Sequence, residues 1–156
     1  MTTINVEHIN AFINAAKNIL NDVCQIEIAT EKPFLKSPVY AKDTLVIIIG
    51  VTGQIKGSVM IGLDETVCFD IASKMMMGMP VTELNDMTKS AISELANMIL
   101  GNAATSFSNK GIIIDITPPS IVFGNMSIES NAIKNICVPL SYEDKNIELN
   151  VAIKEG

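Results

Sequence analysis

The chain has 156 residues, of which 48% are apolar and 18% charged, with a formal net charge of −6. That length suits one domain, residues 1–156, with a substantial core, and the composition excludes a disordered chain. No arginine occurs, so there is neither a basic stripe for nucleic acid nor a guanidinium clamp for an anionic small substrate.

The first residues, Met1 to Glu7, hold no basic region and no signal-peptide core. A helix is predicted over 4–24, with Ile9, Phe12, Ala16, Ile19, Leu20 and Val23 on one face. Strand-like segments follow at 25–30, 44–51 and 54–63, and Thr52-Gly53 reads as a two-residue hairpin turn. The longest apolar run, Thr44 to Val51, contains Gly50 and is far too short to span a membrane. Asp64 is placed to cap a helix that runs to about Met77, where Gly78-Met79-Pro80 ends it. After a polar loop at 81–86, a long helix covers 87–109 and stops at Asn109-Lys110-Gly111. Strands are expected at 112–117, 119–124, 132–140 and 146–153, with a polar loop from Gly124 to Asn131 and a turn from Tyr142 to Asn146.

The long helix carries the most chemistry. Each residue turns by about 100°, which puts Ile92, Leu95, Ala96, Ile99, Ala103 and Phe107 in one stripe. Ser90, Glu94, Asn97 and Gly101 fall on the opposite side, followed by Ala104, Thr105 and Ser108. A solvated face usually carries long helix formers such as Lys, Glu and Gln, and Gly101 costs about 1 kcal/mol relative to alanine. A flat face with one carboxylate and one amide lets another backbone come close, although an ordinary surface helix can carry the same pair.

Helix followed by strands occurs twice, at 4–63 and 87–153. The first helix also holds a Glu-x-x-Asn, Glu7 and Asn10, and Pro33 lies beyond it as Pro118 and Pro119 lie beyond Asn97. This pattern suggests an internal duplication. Glu7 also has a simpler reading, as an acid that favours the helix dipole. Cys24, Cys68 and Cys137 are odd in number and far apart, with no metal-ligand spacing, and His8 is the sole histidine. A reducing cytoplasm is the natural setting, and no metal or cofactor of the chain's own is expected.

The residues resemble the CheC/CheX/FliY family of chemotaxis phosphatases, and its CheX branch most. The family signature is Asp or Ser, three residues, Glu, two residues, Asn, and a later proline. Ser90, Glu94 and Asn97 match in order and spacing, and Pro119 is the natural proline. Asn10-Ala11-Phe12, Gly50-Val51-Thr52-Gly53, Lys56-Gly57-Ser58, the segment from Glu94 to Asn102, and Pro119 to Gly124 look like further landmarks, in family order over nearly the whole chain.

The resemblance implies an α/β (α+β) fold, with a six-stranded largely antiparallel sheet, two long helices and a shorter one. It implies a homodimer whose partner is a phosphorylated CheY-like response regulator, with Mg²⁺ bound to that regulator. The reaction would be hydrolysis of the regulator's aspartyl phosphate, with Asn97 orienting water and Glu94 pairing with a regulator lysine. Ser90, Gly101, Ala104 and Pro119 would border the contact, and Glu7 with Asn10 would be a vestigial second site. The alternatives are a non-enzymatic adaptor of the same fold and, from nine methionines, an unrelated domain for a small apolar ligand.

Overall fold

Alternation with a period of two makes residues 44–64 a hairpin. In the computed structural model, which describes residues 5–127 and 133–155, Leu45, Ile47, Ile49 and Val51 of β4 (Thr44–Gly53) point into the main core. So do Ile55, Val59, Ile61 and Leu63 of β5 (Ile55–Asp64). The next residues out, Val46 and Met60, meet Tyr40 in a small cluster on the other face. Three helices cover the first face: α1 (Val6–Cys24), α2 (Glu65–Met75) and α3 (Asp86–Asn109).

Edge strands and a second hairpin complete the sheet. β1 (Ala29–Thr30) and β2 (Phe34–Leu35) both pair with β9 (Ile136–Tyr142). β6 (Ile114–Ile116) and β7 (Ser120–Phe123) both pair with β4. β10 (Lys145–Glu155) joins β9 to β5. Every pairing in the sheet is antiparallel. The eight strands fill six positions, because each edge is shared by two short strands. β3 (Val39–Tyr40) and β8 (Met126–Ser127) form a separate pair.

The repeat read from the sequence reappears in this topology. α1 with β1–β5 and α3 with β6–β10 run in the same element order. The hairpins β4–β5 and β9–β10 meet at the β5–β10 pairing, and β3 pairs with β8. Each half lends its split edge strand to the other: β1 and β2 flank β9, while β6 and β7 flank β4. α3 has 24 residues against 19 in α1.

Several boundaries differ from the sequence reading. Only Ala29–Thr30 of segment 25–30 pairs, because Gln25 adopts φ 54° and closes α1 through its N–H to the Asn21 carbonyl. The hairpin turn centres on Gln54, not Thr52-Gly53, since Gln54 lies midway between the partners of the last β4–β5 pair, Val51↔Gly57. Gln54 is held there by Ile113, whose N–H donates to the Gln54 side chain at 2.7 Å and whose carbonyl accepts from the Gln54 N–H. Helix α2 stops at Met75, two residues early, and Met77 takes φ 59° ahead of Gly78. The strand predicted at 112–117 is only Ile114–Ile116. β2, β3 and β8 were not anticipated at all. β8 falls inside the loop expected from Gly124 to Asn131, and residues 128–131 of that loop and the strand start at 132 lie outside the described residues.

Two polar pins hold the ends of these elements. The Asp70 carboxylate of α2 accepts from Lys74 Nζ at 2.8 and 2.9 Å and from the Tyr142 hydroxyl at 2.7 Å, which ties α2 to the β9–β10 turn. That turn places Glu143 and Asp144 at positive φ, as a two-residue hairpin connection requires. At the opposite edge, the Thr117 hydroxyl accepts the Gly50 N–H at 2.8 Å, and the Thr117 N–H donates to the Gly50 carbonyl. Thr117 thus bridges β6 to β7 where Pro118 and Pro119 have no N–H to offer.

Candidate active site on helix α3

Helix α3 begins where the Asn85 side chain accepts the Thr88 N–H at 2.9 Å. The buried Thr88 hydroxyl donates to the Glu83 carbonyl at 2.8 Å, so the incoming loop is fastened to the first turn. Asp86 adds a negative charge at the positive end of the helix dipole. The stripe Ile92, Leu95, Ala96, Ile99, Ala103 and Phe107 is buried, as the helical wheel predicts. Phe107 packs edge-on against Phe12 and against His8, both of α1, with ring centroids 5.4 Å apart in each case.

Seen from this anchored face, the remaining residues have only one way to point. Ser90, Glu94 and Asn97 are exposed. Glu94 and Asn97 stand one turn apart, about 4.5 Å along the axis. Among the described residues, neither side chain is held by a hydrogen bond or ion pair. The carboxylate and the amide are therefore available to an incoming molecule.

Gly101 lies on the same side, half-buried, and a Cβ built on it would meet nothing within 4 Å. Internal packing therefore gives no reason for a glycine there. Ala104 departs from expectation: it is half-buried and packs against the core, so it borders the exposed face and is not part of its open surface. Pro119 is half-buried on the strand edge between Thr117 and β7, and α3 packs against both β6 and β7. No hydrogen bond or ion pair joins Pro119 to Glu94 or Asn97 among the described residues.

The second Glu-x-x-Asn sits differently. Glu7 and Asn10 are exposed in the first turns of α1. The Glu7 N–H donates to the Asn5 side chain at 2.9 Å, which places the acid in the capping turn and fits the dipole reading. Glu94, by contrast, lies two turns inside α3. The extra N-terminal turns of α3 carry Met87 and Ser90, and α1 has no equivalent of them.

The wheel also accounts for a residue the sequence reading passed over. Met87 falls within about 20° of Glu94 on the same face, and it is 63% exposed. Away from α3, no group of three or more His, Cys, Asp or Glu among the described residues could hold a metal ion. All three cysteines are free and buried, and burial pushes the thiols up, Cys24 to about 11 and Cys68 and Cys137 to about 12. They are poor nucleophiles. No helix among the described residues is long and apolar enough to cross a membrane.

Comparison with known proteins places this geometry in a family. The profile described as chemotaxis phosphatase CheX matches residues 45–141. The chain is 33% identical over 150 residues to the CheY-P phosphatase CheX of Thermotoga maritima, covering 95% of this chain and 96% of that protein. Among solved structures, a CheC-like superfamily protein from Shewanella sp. PV-4 superposes with a TM-score of 0.87 at 29% identity, over 97% of this chain and 99% of that one. The CheX–CheY–BeF₃–Mg²⁺ complex from Borrelia burgdorferi contains a chain similar at a TM-score of 0.80 and 34% identity, over 97% of this chain and 100% of that one. The architecture, the exposed Glu94 and Asn97 and these similarities together show that the chain belongs to the CheX family of chemotaxis phosphatases.

Proposed function

We propose that this protein dephosphorylates a CheY-type response regulator, and that Asn97 and Glu94 supply the part of the active site that the regulator lacks. The observation that carries this reading is an unengaged amide and carboxylate, one turn apart, on the exposed face of a helix whose other face is locked in the core. Similarity to a CheY-P phosphatase over nearly the whole chain supports it.

The chemistry follows from the side chains. An acyl phosphate needs a water placed in line more than it needs covalent help. The Asn97 amide can place one, because its oxygen accepts from the water, its NH₂ donates, and its charge does not change with pH. Glu94 pairs with a lysine of the regulator and fixes the depth and register at which Asn97 enters. Gly101 leaves room for the approaching backbone. Ser90 lies on the rim, Ala104 borders it, and Pro119 shapes the neighbouring strand edge. Mg²⁺ belongs to the regulator, where it neutralises phosphoryl charge. The reaction takes place in the cytoplasm, with its partner.

We also infer a homodimer. Phe34, Val39 and Val122 are exposed on the helix-free side of the sheet, where a second copy covers them. A monomer mass by light scattering at micromolar concentration contradicts that part. An adaptor of the same fold would bind the regulator without turnover, so release of inorganic phosphate from the phosphorylated regulator separates the two functions.

A further inference from the structure

The helix-free face of the sheet carries a cavity of about 420 Å³. Its floor is Ser58 and Met60 of β5 and Ala152 of β10. These residues alternate with Val59, Ile61, Val151 and Ile153, which point into the main core on the other face. Ser58 and Ala152 are register partners, and Met60 belongs to the small cluster with Tyr40. One wall is Leu35 to Pro38, the other Ile133 to Asn135. The walls are tied together. The Lys36 N–H donates to the Asn135 carbonyl at 3.2 Å, and Asn135 Nδ2 donates to the Lys36 carbonyl at 2.8 Å. The same Nδ2 donates to Asn150 Oδ1 of β10 at 2.7 Å, and Asn150 Nδ2 donates to the Tyr40 hydroxyl at 2.6 Å. A sheet floor and cross-linked walls make this a preformed cavity.

The charge of the lining is opposite to that of the chain. The chain carries 17 acidic residues against 11 lysines, yet two lysines line the cavity and no Asp or Glu does. Lys36 Nζ is 3.6 Å from Glu148 Oε1, so its charge is partly offset. Lys134 is exposed and has no ion-pair partner among the described residues. One uncompensated ammonium, with no guanidinium beside it, suits a monoanionic carboxylate better than a phosphate dianion. The side chains of Ser37 and Ser58 are likewise unengaged, and each hydroxyl can donate to such an anion. No aromatic ring lines the cavity, so a flat base has nothing to stack on. The deeper lining is aliphatic: Pro38, Met60 and Ala152 are buried. Asn135 Oδ1 is buried without a partner, and the amide cannot flip to relieve it, because both of its N–H groups are in use. Such an unmet acceptor is uncommon in a folded protein.

We propose that this cavity binds a small aliphatic monocarboxylate. The exposed Lys134 and Ser37 receive the carboxylate, with Ser58 below them, and the aliphatic chain lies over Met60, Pro38 and Ala152. The volume falls near the lower end of the range for small-molecule sites, about 300–1,000 Å³, which fits a compact ligand. The inference is independent of the phosphatase reading, because the sheet separates this cavity from α3 and its Glu94 and Asn97.

The test is an NMR titration of the isotope-labelled full chain with sodium hexanoate, 1-hexanol and inorganic phosphate, on wild type and Lys134→Gln. Lys134 is exposed, so the variant keeps its fold, which its spectrum away from the cavity verifies. Hexanoate should shift the amides of Ser58, Asn135 and Ala152 saturably. Hexanol, which has the same chain and no charge, should bind at least about fivefold more weakly, and so should hexanoate to Lys134→Gln. Phosphate should leave those amides unshifted. A smaller difference for hexanol or for Lys134→Gln overturns the proposal, since the charge is then not recognised. Phosphate shifting the same amides as strongly as hexanoate overturns the carboxylate assignment. Absence of saturable shifts at those amides, including closure of the cavity by a second copy, overturns the site altogether.

Discussion

Glu94 and Asn97 are exposed on α3, and the two residues between them, Leu95 and Ala96, are buried in the core. The pair cannot rotate away from solvent without pulling apolar side chains out of the core. Its direction is set by packing and not by any contact of its own. This makes the two residues separable from stability.

Glu94→Ala removes an exposed carboxylate, so the folded state should change by no more than about 0.5 kcal/mol. Binding to the charged regulator should fall about tenfold, and the loss should shrink as salt rises, because screening already weakens the wild-type pair. Titrations at low and high ionic strength check this. An equal loss at both contradicts the charge role.

Gly101→Ala should stabilise the protein by up to about 1 kcal/mol, since a Cβ there meets nothing within 4 Å and alanine is the better helix former. A rise in Tm of about 2–4 °C is the readout. Gly101→Leu should keep that gain in part but cost regulator binding. If Gly101→Leu binds as wild type does, the glycine is not there for a partner.

Tyr142→Phe should cost about 1 kcal/mol through loss of the hydrogen bond to Asp70. Burial raises the Asp70 carboxyl, but the hydrogen bonds from Lys74 and Tyr142 outweigh it and hold the group below its ordinary value of 3.8. A depressed folded-state value means stability that is present above the unfolded value and is lost as pH falls through the folded one. The gap in urea midpoint between wild type and Tyr142→Phe should therefore be full at pH 6 and close on acidification below about 4. A gap that persists at low pH contradicts the pin.

Much of the fold was legible because amphipathic period and burial agree. The stripe from Ile92 to Phe107 and the alternation in β4 each have one solution that buries the apolar face. The duplicated order of elements was legible for the same reason. The short strands β2, β3 and β8 were not, since two residues carry no period and their pairing depends on partners as distant as Cys137 is from Phe34 and Ser127 from Val39. The Gln54 turn was misread because Ile113, distant in sequence, sets it. Nor did the sequence reveal the buried chain from Asn135 through Asn150 to the Tyr40 hydroxyl, which joins β10 to β3. At the site, the directions of Glu94 and Asn97 could be read from the wheel, whereas the burial of Ala104 depends on where neighbouring elements pack.

The central claim is that Asn97 orients the attacking water. Its most direct test is phosphate release from a phosphorylated CheY-type regulator with Mg²⁺, comparing wild type with Asn97→Ala, alongside binding to the beryllofluoride-charged regulator. Wild type should accelerate release well above the regulator's own rate. Asn97→Ala should return it to that rate while binding within a few-fold of wild type. Release by Asn97→Ala at the wild-type rate contradicts the account.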